Sequence, residues 1–215
     1  MEIEWHGLGC FRLTERGCPS IVTDPFDESQ TGLRLPQAEV DIVTSSLLLE
    51  DSREATWPRI LGTPRTLAAP GEYEIGGVFI TGVASSRARK RGTRPERNVV
   101  YTINYDGVAV CHLGELTRAP TQAEVEAMGR VTVLLVPVGM PGGMTPAVAS
   151  ETVSLIEPEI VVPMQYRVPG LRIERKPVAG FLKEMGVTDP SAVPSLRVTS
   201  GGEPDELQVV LLEPQ

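Results

Sequence analysis

The sequence predicts a layered α/β or α+β fold, two sheets with helices outside. Two observations predict it: the first hundred residues alternate short apolar runs with Gly, Pro and Asp breaks, as β-meanders do. After residue 120 buried strands alternate with helices instead.

The candidate strands of the first half are Glu2–Leu13, Ser20–Asp24, Asp41–Ser45, Gly71–Ile75 and Val78–Val83. Asn98–Asn104 and Val108–His112 flank Asp106-Gly107, a two-residue hairpin signal, because glycine reaches positive φ without a Cβ clash. Thr121-Gln122-Ala123-Glu124 fits a capping box, in which a hydroxyl and a carboxylate satisfy the first helical amides. It places a helix at Thr121–Met128. Val131–Val136 is a continuous apolar run, the pattern of a strand buried on both faces. Thr145-Pro146 opens a second helix, running to Ile156, with proline at its first position. Ile160–Met164 is another buried strand, Pro177–Met185 a helix ended by Gly186, and Leu207–Leu212 a final strand.

A length of 215 residues suits one domain, taken as residues 1–215, and a 41% hydrophobic fraction supplies a real core. The net charge of −8 and pI near 4.9 argue against a general binder of nucleic acid or anionic membrane. No apolar run approaches the roughly 18 residues of a membrane span. The first residues, MEIEWHGLGC, read as a strand rather than a secretory leader. Cys10, Cys18 and Cys111 are odd in number and hold no CxxC pair, which implies free thiols and a cytoplasmic protein.

Several strings then line up in order: Trp5-His6-Gly7-Leu8-Gly9-Cys10-Phe11, Val22-Thr23-Asp24-Pro25-Phe26, Asp41-Ile42-Val43-Thr44, Gly71-Glu72-Tyr73, Cys111-His112-Leu113-Gly114-Glu115, Leu135-Val136-Pro137-Val138-Gly139 and Val162-Pro163-Met164-Gln165-Tyr166. Together they resemble the metallo-β-lactamase superfamily, in the branch of bacterial metal-dependent hydrolases similar to L-ascorbate-6-phosphate lactonase. The resemblance implies a four-layer αββα sandwich. It also implies an S-H-x-H-x-D-H turn after the strand Asp41–Thr44, whose imidazoles and carboxylate hold zinc and lower the pKa of bound water toward about 7.

In this chain that turn reads Ser46-Leu47-Leu48-Leu49-Glu50-Asp51-Ser52. Leu47, Leu49 and Ser52 stand where the family has histidine, and Asp51 alone matches. Leu8 replaces the histidine of the family's first string, Gln165 that of P-M-H-Y, and Glu115 the bridging aspartate of C-H-L-G-D. The histidine expected after Ile80-Thr81-Gly82 falls near Arg87. His6 and His112 are the only histidines in the chain, and neither occupies a family ligand position. Leucine offers no lone pair. The three leucines are therefore expected to plug the former metal pocket, each contributing roughly 1.5–3 kcal/mol if buried.

These substitutions favour a non-catalytic protein acting through binding or assembly, with no cofactor and with self-association into a homo-oligomer expected from the family. The alternative is a hydrolase of altered chemistry, acting on a lactone or a phosphorylated small molecule through a weak zinc or manganese site. Its relict candidates are Asp51, Glu115, His112 and Gln165. For three of them a plainer reading stands beside the chemical one: a helix cap for Asp51, a solvated loop acid for Glu115, and a hydrogen-bonded structural histidine for His112. The run Arg87, Arg89, Lys90, Arg91, Arg94 and Arg97 concentrates positive charge on an acidic chain. It is a candidate contact for an anionic ligand or acidic partner, against a solvated loop as the default. It lacks interleaved aromatics, which speaks against single-stranded nucleic acid.

Overall fold

The computed structural model describes residues 1–47, 57, 59–86, 97–201 and 206–215. In chain order come β1 (Glu2–Trp5), β2 (Phe11–Thr14), β3 (Ile21–Thr23), the one-turn helix α1 (Glu28–Thr31), β4 (Ala38–Glu39), β5 (Ile42–Thr44), β6 (Ile60–Leu61), β7 (Arg65–Leu67), β8 (Gly71–Ile75), β9 (Val78–Ser86), β10 (Arg97–Tyr105) and β11 (Val108–His112). There follow α2 (Gln122–Met128), β12 (Val133–Pro137), α3 (Pro146–Ile156), β13 (Ile160–Met164), α4 (Ala179–Glu184), and the two-residue strands β14 (Ala192–Val193), β15 (Leu196–Arg197), β16 (Gln208–Val209) and β17 (Leu211–Leu212).

Two large sheets result. One runs β15-β1-β2-β3-β5-β7 and the other β16-β13-β12-β11-β10-β9-β8. Strand period 2 explains how the first sheet serves two cores. Ile21 and Ile42 face the main core shared with the second sheet. Their neighbours Val22 and Val43 face a smaller core with Cys10, Leu35 and Val40. The second sheet has β11, β12 and β13 buried along their full length, with no alternation, because both faces are covered. β11, β12 and β13 pair in parallel, with α2 and α3 as the crossovers. This is the sandwich the sequence implied. Among the described residues no helix is long and apolar enough to cross a membrane.

The local signals acted as expected where their chemistry is self-contained. Asp106 and Gly107 take φ 47° and 90°, and Tyr105 pairs with Val108 across the two-residue loop. The Thr121 hydroxyl accepts from the Glu124 amide while the Glu124 carboxylate accepts from the Thr121 amide. Two expected strands are broken. Glu2–Leu13 is a hairpin, because Gly7 and Leu8 turn at φ 96° and 52° and Trp5 pairs with Phe11. Leu207–Leu212 divides into β16 and β17, which pair with β13 and β14 respectively. The third helix is shorter than Pro177–Met185, starting at Ala179 without a side-chain cap.

Candidate functional site

Five segments meet at one edge of the sandwich: the β1–β2 turn, and the residues that follow β3, β5, β11 and β13. Parallel pairing of β3 with β5 aligns Thr23 with Thr44, and so brings Asp24 and Ser46 together from 22 positions apart. The Asp24 amide donates to the Thr44 carbonyl at 2.8 Å, holding Asp24 at φ 38°. Both oxygens of its carboxylate then accept from Ser46, Oδ1 from the amide at 2.6 Å and Oδ2 from Oγ at 2.7 Å.

His112 ends β11 directly behind this pair and is fully buried. The Gly114 amide donates to Nδ1 at 3.1 Å, so Nδ1 is the acceptor and Nε2 carries the hydrogen. Nε2 donates to the Gly9 carbonyl at 2.8 Å and lies 3.9 Å from Asp24 Oδ2. Ser46 Oγ stands 3.4 Å from Nδ1. The same Gly9 carbonyl accepts from Thr23 Oγ1 at 2.7 Å. A Cβ on Gly9 would stand 3.1 Å from Asp24 Oδ2 and 3.2 Å from Gln165 Nε2, so these two side chains close over a position that only glycine leaves open.

Gln165 is buried at φ 61°, and its amide donates to the Leu8 carbonyl at 3.1 Å. Its Oε1 accepts from both Nε and Nη2 of Arg175, at 3.2 and 3.0 Å. The half-buried Glu115 is placed through its backbone: its amide donates to Asn98 Oδ1 at 2.8 Å. Asn98 Nδ2 donates to Ser85 Oγ at 2.8 Å and to the Leu113 carbonyl at 3.0 Å. Cys10 is fully buried beside this site, and burial, with the charge of Asp24, pushes its thiol pKa up, which disfavours the thiolate.

Of the sequence candidates, His112 and Gln165 come together around Gly9, and Glu115 joins them through Asn98. Both ring nitrogens of His112 are held by the backbone. Asp51, Leu49 and Ser52 lie outside the described residues, as do Arg87, Arg89, Lys90, Arg91 and Arg94; Arg97 begins β10 and is exposed. For Leu47 the expected plug is corrected. It is 40% exposed, at a β-bridge to Asn98, so it fills no pocket. Asp24, Ser46, Asn98 and Arg175 were not singled out as site residues in the sequence. Asp24 stands inside a quoted string, but nothing local marks its pairing with Ser46.

Zinc needs three or four Cys, His or carboxylate ligands with lone pairs directed at one point. Among the described residues no three His, Cys, Asp or Glu side chains are so grouped. Three of the donors at the site are engaged elsewhere: the imidazole with Gly9 and Gly114, the Asp24 carboxylate with Ser46, the Gln165 oxygen with Arg175. The described residues do not fit the metal that the family implies.

The profile of the β-lactamase superfamily domain matches residues 2–165. A solved Thermotoga maritima structure, described as a candidate zinc-dependent hydrolase of the metallo-β-lactamase superfamily, is 32% identical, with a TM-score of 0.76 over 99% of this chain and 98% of that one. A metallo hydrolase from the archaeon Ignicoccus hospitalis, 18% identical with a TM-score of 0.61, covers 92% of this chain and 99% of its own, and shares the fold. A UPF0173 protein of Pyrococcus furiosus is 28% identical over 182 residues, 77% of this chain and 83% of that protein.

Proposed function

Because the chain belongs to the β-lactamase superfamily and has the metallo-β-lactamase fold, we propose that it is a non-catalytic member acting through binding, its zinc site lost. One observation carries this reading. At the family's ligand positions the described residues are Leu47, Glu115 and Gln165: Glu115 keeps a carboxylate, Leu47 offers no lone pair, and the Gln165 oxygen is engaged by an arginine fork. A guanidinium seated on that oxygen brings a fixed positive charge to the place where a dication would bind, and the two repel. His112 supports the same reading, since a ring fixed between two backbone groups has no lone pair for a metal or a substrate proton. The relatives described as hydrolases share the fold, and fold alone does not carry activity.

Metal content tests the proposal. Untagged protein, purified without chelator, is analysed by plasma mass spectrometry before and after incubation with excess zinc or manganese and desalting. Less than about a tenth of an equivalent in both samples is expected, since a structural or catalytic site retains its ion through desalting. Near-stoichiometric metal would overturn the proposal, and Asp51, Glu115 and His112 would be the first residues to substitute.

A further inference from the structure

Separate from the Asp24–Ser46 pair, a cavity of about 430 Å³ opens between α1 with its flanking residues and the side chains of Trp57 and Arg59. Its size falls within the range of small-molecule pockets. Phe26, Leu35 and Trp57 form apolar walls, and Asp27, Glu28 and Arg59 supply charge. The chain has two tryptophans and four phenylalanines; Trp5, Phe11 and Phe181 are fully buried. Phe26 and Trp57 are only half-buried, and both pack against the smaller core, which seats them at the cavity.

The charges select the ligand. Arg59 Nε lies 3.3 Å from Glu28 Oε1, so among the described lining residues the one cation is offset by its neighbour. Glu28 Oε1 also accepts from the Leu35 amide at 2.8 Å, which fixes that carboxylate in place. Among the described lining residues Asp27 is then the charge without an oppositely charged neighbour. Its hydrogen bonds from Ser29, hydroxyl and backbone, hold its carboxyl below the usual range, so it is an anion at neutral pH. An anionic ligand would meet that carboxylate; a cationic one meets it together with two aromatic side chains, whose faces attract cations. From this cavity, its aromatic pair and its net negative lining we infer that the protein binds a small organic cation, an alkylated ammonium or comparable amine, against Phe26 and Trp57. The inference goes beyond the proposed loss of catalysis and does not depend on it, because metal content and cation binding are separate measurements.

The test is calorimetric titration of the full chain with three isosteric probes: choline, the neutral 3,3-dimethyl-1-butanol, and the anion 3,3-dimethylbutanoate. Choline is expected to bind roughly tenfold more tightly than the alcohol, the advantage that cation–π contact and one carboxylate supply, with the anion weakest. Trp57→Leu should abolish that advantage and Trp57→Phe preserve most of it, with thermal unfolding showing both variants folded. Asp27→Asn keeps the cap of α1, since asparagine caps as well as aspartate, and should lower choline affinity without unfolding the helix. Equal affinity for choline and the alcohol, tightest binding of the anion, or no heat from any probe in the tens of millimolar would each overturn the inference.

Discussion

Asn98→Ala tests the claim that the site is a closed hydrogen-bond network rather than an open cleft. Asn98 is 1% exposed and makes three side-chain hydrogen bonds of 2.8–3.0 Å, to Ser85 Oγ, the Leu113 carbonyl and the Glu115 amide. Truncation removes all three at about 1 kcal/mol each, a loss near 3 kcal/mol. Ser85 Oγ keeps the Asn98 carbonyl, and the Leu113 carbonyl keeps the Leu116 amide, so the Glu115 amide bears most of the penalty. At about 2–4 °C per kcal/mol for a chain of this length, Tm should fall by roughly 6–12 °C. Ser85→Ala should cost less, and the double variant should be less destabilised than the sum, by about 1 kcal/mol, because the two singles both remove the 2.8 Å bond. The assay is thermal and urea unfolding followed by circular dichroism. A Tm drop under about 2 °C for Asn98→Ala, or strict additivity with Ser85→Ala, would refute the network.

Other outcomes follow from individual groups. His6 is buried near the Arg12 cation, and burial first, then that charge, lower its pKa from 6.5 to about 4. The unfolded chain therefore takes up the proton first, and stability should decline as pH falls from 6.5 to 4, then level off. Relative to His6→Leu the decline should reach up to about 3 kcal/mol, read by urea unfolding at stepped pH; a constant difference would refute it. Of the three cysteines, Cys10 and Cys111 are fully buried, with thiol pKa values raised, that of Cys111 to about 12, by burial. A thiol reagent at neutral pH should thus label only Cys18 in the native protein and all three in denaturant, as mass spectrometry would count. Thr121→Ala should cost about 1 kcal/mol by removing the capping box of α2, and Thr121→Ser should recover most of it in the same unfolding assay.

How far the sequence could be read depended on the range of the interaction. The Asp106-Gly107 hairpin, the Thr121–Glu124 cap and Thr145-Pro146 are each complete within four residues, and the structure has all three. The full burial of β11, β12 and β13 was legible in part because an unbroken apolar run has only one stable placement in a layered fold. The turn at Gly7-Leu8 was not, since a leucine at φ 52° is held there by tertiary contacts, its carbonyl accepting from Gln165 and from Trp5 Nε1. The two-residue strands carry too few residues for any period. At the site, resemblance marked His112, Glu115, Gln165 and the leucine turn, but partners such as Arg175 for Gln165, Asn98 for Glu115 and Gly9 for His112 lie 10 to 103 positions away and follow from the tertiary fold.

The partners matter more than the positions. A glutamine in a histidine's place still presents a lone pair, and by residue type alone Gln165 remained a candidate ligand. What changes its chemistry is Arg175, ten residues on, which takes the oxygen with two donors and leaves the amide nitrogen facing Gly9 and Asp24. Asp24 is likewise a carboxylate that a metal could use, yet Ser46 supplies a donor to each oxygen, and the acid needs no cation to complete its hydrogen bonds. Ser46 in turn owes its position to the carbonyl that accepts from Val99, one residue after the Asn98 that anchors Glu115. The acids, the imidazole and the amide are therefore parts of one scaffold that joins the two sheets, so substituting any of them should be read first as a change in stability.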